Sequence, residues 1–174
     1  MSNDAYLPAN RGFDTSLGFL GGAEDHWTHR QGQGIDFWNT LYPMQYQNVY
    51  GDLLFSGMAV RTINDFALKY GNQSDDALFL YVALQVVHDP QEAPQEYLDL
   101  YPEDMFARRR SMDAMASLMD DAVKNITDAL RQNGLWDNTI LLFSADNGGA
   151  TGVNSKSGNN WPLRGGKHSD FEGI

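Results

Sequence analysis

Cysteine is absent from all 174 residues. That excludes a disulfide framework, a zinc–thiolate site and a cysteine nucleophile within the chain. It fits a reducing compartment without requiring one. Positive charge is scarce: 12 Lys and Arg stand against 23 Asp and Glu, a formal net charge of −11. A general nucleic-acid binder carries a basic footprint, so that class is set aside. No apolar run approaches the ~18 residues of a membrane span. The opening "MSNDAYLPANRG" has no basic segment leading into an apolar one, so no signal peptide is visible. Gly-x-Ser-x-Gly, G-x-x-x-x-G-K-[ST] and C/S-x-P-x-R runs are all missing. The chain thus offers no recognisable covalent nucleophile.

What is there is a globular composition, 42% hydrophobic and 20% charged, with room for one ordinary domain and its core. Residues 1–50 are rich in Gly, Asn, Gln and aromatics. They read as long loops with one short strand near Leu17–Leu20. From 52 to 70, Leu54, Met58, Ile63, Phe66 and Ala67 fall at helical spacing, and Gly71 stops the run. "ALFLYVAL" (77–84) has the length and apolar character of a strand buried on both faces. Pro94–Leu100 predicts a short helix. Residues 106–132 predict the clearest helix, with a stripe of Met115, Leu118, Met119, Ala122, Ile126, Ala129 and Leu130 and a cap at Gly134. Arg108-Arg109-Arg110 opens it as a solvated face. A second buried strand is expected at Thr139–Ala145. Two apolar strands joined by a helical crossover predict an α/β fold with a mainly parallel central sheet flanked by helices.

In such a sheet, ligands gather at the carboxyl ends of the strands. His88 follows the first apolar run. Asp146-Asn147 follows the second, in "LFSADNGGATG". A carboxylate beside an amide carbonyl offers hard oxygens that suit Ca²⁺ or Mg²⁺. An Asp-capped turn on Asn-Gly explains the same residues, and spacing alone leaves both open. His88 is a general acid or anion donor, or a satisfied histidine before a turn. Lys167 follows two glycines in "WPLRGGKHSDFEG", where backbone and ammonium could approach one anion together. His168 beside it reads as bland. His26 and His29 have near-ligand spacing, but their loop position and the lack of cysteine make zinc improbable. Two sequons, Asn72-Gln73-Ser74 and Asn125-Ile126-Thr127, matter only for a secreted chain.

Four stretches together carry a resemblance: "RGFDTSLGFLGGAEDHWTH", "LFLYVALQVVHDPQEAPQEYL", "SLMDDAVKNITDALRQNGLWDNTILLFSADNGG" and "GNNWPLRGGKHSDFEG". They resemble the sulfatases, and within them the arylsulfatase B group (N-acetylgalactosamine-4-sulfatase and its relatives). The resemblance implies an alkaline-phosphatase-like α/β sandwich and calcium-dependent hydrolysis of sulfate esters, sulfated glycans among them. It implies Asp146 and Asn147 as calcium ligands, with His88 and Lys167 contacting the sulfate. It implies a lysosomal or secreted setting. The family's formylglycine motif and an upstream aspartate pair have no counterpart here. The expectation is a partial catalytic domain spanning 1–174, without the nucleophile segment or the C-terminal subdomain and inactive alone. The alternative is a non-catalytic relative that binds an anion or a partner.

Overall fold

The computed structural model describes residues 4–46, 48–71, 75–151 and 158–173. Two long helices carry the core. The first, α1, spans Gly51–Tyr70 and buries Phe55, Ala59 and Ile63, four residues apart along one face. After the single turn α2 (Gln95–Leu98) comes α3, Ala107–Gln132, which buries Ala114, Met115, Leu118, Ala122, Ala129 and Leu130. These positions recur at three- and four-residue intervals, the stripe an amphipathic helix must bury. The end of α3 explains why a glycine stands at 134. Gly134 takes φ +67°. Its N–H reaches the Arg131 carbonyl at 3.0 Å, and the next N–H, of Leu135, reaches Leu130 at 2.9 Å. This is the paired closure of a Schellman motif, and Leu135 completes it by packing near Leu130.

The strands differ from expectation. Among the described residues up to position 43 lie five two-residue strands: β1 Leu17–Gly18, β2 Arg30–Gln31, β3 Gly34–Ile35, β4 Trp38–Asn39 and β5 Tyr42–Pro43. They form a three-stranded sheet in the order β1-β4-β5 and the hairpin β2-β3. Every pairing is antiparallel. The mainly parallel central sheet is therefore corrected: the fold's sheets are antiparallel, and much of the stretch read as loop is short hairpin. Gly32, at φ +61°, closes the two-residue turn between β2 and β3, a conformation glycine adopts without steric cost.

The two apolar runs enter no ladder among the described residues. In 77–84 the side chains alternate. Leu78 and Leu80 pack beside Ile63, Ala129 and Leu130, and Leu84 packs beside Met115 and Leu118. Phe79 and Tyr81 point the other way and are exposed. One face is thus covered, not two. In 139–145 the exposure is greater: Ile140 is 99% accessible and Leu142 89%. The parallel reading failed for a physical reason. Apolar character fixes where a run wants to be buried, whereas a ladder also needs a partner at the right register.

Against α3, the Tyr97 hydroxyl donates to Asp121 at 3.0 Å. Burial, with help from Asp121, pushes the phenol up to about 12. A raised phenol pKa stabilises the fold fully below its ordinary value and loses that contribution as pH climbs through about 12. The expected result is that Tyr97→Phe flattens the fall in stability on that alkaline limb, measured by urea melts at stepped pH.

Candidate active site

The first piece of the site is stitched by one asparagine. Asn160 accepts from the Gly149 N–H at 2.8 Å and donates back to the Gly149 carbonyl at 2.8 Å. Its amide also donates to the Gly165 carbonyl at 3.0 Å. The Lys167 N–H then reaches the same Gly149 carbonyl at 3.2 Å. So the turn that carries Asp146 and Asn147 and the loop that carries Lys167 are held against each other, although 20 positions separate Asn147 from Lys167. Glycine permits this approach. A Cβ on Gly166 would lie 2.6 Å from the Gly149 carbonyl oxygen, closer than real side chains come. Gly165 turns the chain there at φ +78°.

Charge is sorted within this piece. Arg164 forks onto Glu172, with Nε to Oε1 at 2.9 Å and Nη2 to Oε2 at 3.1 Å. The guanidinium holds the Glu172 carboxyl below its usual range. The half-buried Lys167 has no carboxylate partner among the described residues. Of the two cations in this stretch, Arg164 is therefore spent on its own loop, whereas Lys167 carries no such fork. Asp146 is exposed and Asn147 half-buried. The Asn147 amide nitrogen donates to the Gly148 carbonyl at 2.9 Å, so of its two side-chain polar atoms the oxygen is the one that could face a cation. The donor set fits a hard cation such as Ca²⁺ in kind. It falls short in number, since among the described residues no three His, Asp or Glu side chains converge as a metal group.

His88 stands on a separate support. Its turn follows the 77–84 run, and its N–H closes onto the Gln85 carbonyl at 2.8 Å. Its Nδ1 lies 2.9 Å from the Asp89 carbonyl. A carbonyl only accepts, so Nδ1 carries a proton in this contact. Beneath the turn lies a buried polar cluster from three segments: Glu24, His26 and His29; Asp52 near the start of α1; and Gln85. Asp52 Oδ1 accepts the N–H of Gln85 at 2.7 Å and of Val86 at 3.3 Å. The Gln85 amide donates to the Glu24 carbonyl. His29 Nδ1 meets Glu24 Oε1 at 3.1 Å. Burial pushes the Glu24 carboxyl up, with His29 pulling the other way.

Sequence reasoning missed Asn160 and this cluster. The Asn159-Asn160 pair before Trp161-Pro162 was the available signal for the first. For the second, His26 and His29 drew notice only as metal ligands. They are core histidines with acidic partners.

Comparison with known proteins identifies the class. The sulfatase family model matches residues 1–173, and the chain belongs to the sulfatase family. The family is one of sulfuric ester hydrolases. It is 35% identical over 174 residues to arylsulfatase J of Mus musculus, covering 96% of this chain and 28% of that protein. It is 34% identical over 96 residues to N-acetylgalactosamine-6-sulfatase of the same organism, 55% of this chain and 17% of that protein. The crystal structure of Ps i-CgsB in complex with k-i-k-neocarrahexaose superposes with a TM-score of 0.83 at 27% identity, covering 98% of this chain and 40% of that one. The chain thus spans about a quarter of the length of its curated relative arylsulfatase J. The matches include several kinds of sulfatase and do not single out the 4-sulfatase group. No helix among the described residues is long and apolar enough to cross a membrane.

Proposed function

We propose that this chain forms part of the catalytic domain of a calcium-dependent arylsulfatase-type hydrolase that acts on sulfated glycans in a lysosomal or secreted setting. The arylsulfatase B-like subgroup rests on the sequence motifs. The glycan assignment draws support from the similar crystal structure, a complex with k-i-k-neocarrahexaose. The observation that carries the proposal is the Asn160 stitch, which holds an acid–amide pair beside a lysine without a carboxylate partner.

Asp146 and Asn147 would hold the calcium, which supplies positive charge beside the sulfate oxygens when bound. Its remaining ligands and the nucleophile come from outside the described residues. Lys167 neutralises charge on the sulfate and on the oxygen of the breaking S–O bond. His88, with a proton on each ring nitrogen, contacts the sulfate through Nε2–H and passes that proton to the departing alkoxide. The test is hydrolysis of an aryl sulfate and the matching aryl phosphate by the whole protein, with calcium or with chelator. The expected result is sulfate preference, loss of turnover on chelation, and a higher calcium requirement in Asp146→Ala. A preference for phosphate, or turnover indifferent to chelator, would sink the reading.

A further inference from the structure

The His26 side chain is buried and faces the turn that bears His88. Its Nε2 lies 3.3 Å from the His88 main-chain carbonyl, to which it donates when protonated. The Gln85 amide nitrogen, a donor, lies 3.3 Å from the same atom and does not hydrogen-bond to it in that state. Its Nδ1 faces Asp52 Oδ2 at 3.4 Å. Its ring stacks flat on Tyr50, centroids 4.8 Å apart at an interplanar angle of 0°. Tyr50 in turn donates to the Glu92 carbonyl at 2.7 Å, beyond the far end of the same turn. The His26 carbonyl accepts the Gly51 N–H at 2.8 Å. These contacts make one frame. Asp52 holds the main chain at 85 and 86, His26 holds it at 88, and Tyr50 holds it at 92.

We infer that His26, braced by Asp52 and Tyr50, is a positioning residue that sets where His88 stands by hydrogen-bonding its main-chain carbonyl.

The inference rests on the reading of His88 as a substrate contact only for its effect on turnover. His26 is buried beneath the turn and acts through the backbone of His88, not on the substrate. The chemistry of the frame explains why a histidine suits the position. Only a ring with a nitrogen at each edge can face a carboxylate on one side and a carbonyl on the other while stacking on an aromatic face. Partners of this kind, one contact removed from the reacting group, commonly change activity by about 10–100-fold where they orient a ligating histidine.

Two substitutions separate positioning from bulk. His26→Phe keeps the ring and its stacking on Tyr50 but removes both nitrogens. His26→Gln restores an amide N–H near the place of Nε2. In the whole protein, His26→Phe is expected to lower kcat for a sulfate ester by about 10–100-fold, with a smaller change in KM, and His26→Gln to recover most of the loss. In a His88→Ala background, His26→Phe should cost less than about a further twofold, because the group it positions is gone. An equal cost in both backgrounds, or no recovery by glutamine, overturns the inference. A second readout does not need turnover. In protein labelled with ¹³C-histidine, the His88 resonance, assigned by its loss in His88→Ala, should move in His26→Phe and return in His26→Gln. If it does not move, the inference fails whatever the rates. If His88→Ala turns over normally, the substrate-contact reading falls instead, and the resonance alone decides the positioning role.

Discussion

Lys167→Ala is expected to lower kcat for a sulfate ester by about 10²–10³-fold in the whole protein, the range seen when one preorganised donor to developing charge is removed. The cause is charge. The chain is acidic overall, with 23 carboxylates against 12 lysines and arginines, so a sulfate ester meets a repulsive surface unless the site opposes it locally. Arg164 cannot do so while Glu172 holds it in a two-point fork. Lys167 can, and its loop is pinned to the calcium-candidate turn at Gly149. Lys167→Arg keeps the charge but replaces a compact ammonium by a broad planar fork, so it should recover only part of the rate. Asn160→Ala supplies the control. It removes three hydrogen bonds without touching any charge, and should lower turnover by loosening the distance between Lys167 and Asp146. Steady-state kinetics of the three variants decide the matter. A Lys167→Ala enzyme with unchanged kcat would remove the lysine from the chemistry, and with it the reason for the stitch.

How much of this could be read from residues alone depends on what each feature requires. Both long helices were legible, since they end on Gly71 and Gly134 and α3 displays its buried stripe at helical spacing. Of the α1 positions read as apolar, however, only Ile63 is buried, and the face runs through Phe55 and Ala59 instead. The short helix after Pro94 was legible from the proline. The sheets were not. Segment 77–84 shows the same apolar composition whether its neighbours lie on one side or two. Only packing reveals that Leu78 and Leu80 are covered while Phe79 and Tyr81 are bare. Of the two-residue strands near the N-terminus, β1 falls where a short strand was expected, near Leu17–Leu20, and the other four are too short to leave a period in the sequence. Asp146, Asn147 and Lys167 stood out as residue types, but their proximity did not. It comes from Asn160, a side chain with no chemistry of its own to attract attention. The cluster around His26 stayed hidden for a related reason: its members are 61 positions apart between Glu24 and Gln85, and each alone is an ordinary polar residue.

That cluster also carries the largest stability effect. Asp52→Ala is expected to destabilise the fold by about 3–5 kcal/mol, the cost of breaking a fully buried polar pair by deleting one partner. Asp52 is completely buried. Its Oδ1 is the acceptor for two main-chain N–H groups, at Gln85 and Val86. Alanine leaves both donors in a dry site, and an orphaned buried donor costs more than the bond it lost. It also leaves the His26 Nδ1 facing a void. Asp52→Asn is the more informative change. Its oxygen can still serve the two N–H groups, so the backbone argument predicts only a small loss from that side. Its NH₂ then faces His26 Nδ1 across the 3.4 Å gap that the carboxylate spans. If Nδ1 is bare, the amide donates to it and the variant stays near the parent. If Nδ1 carries a proton, two donors confront each other and the penalty approaches that of alanine. Urea denaturation of the whole protein and both variants, read at neutral pH with the slope checked for constancy, gives the two differences. An Asp52→Ala protein as stable as the parent would mean that the turn bearing His88 is held by something other than this carboxylate, and the frame beneath the candidate site would have to be redrawn around Tyr50 and Gln85.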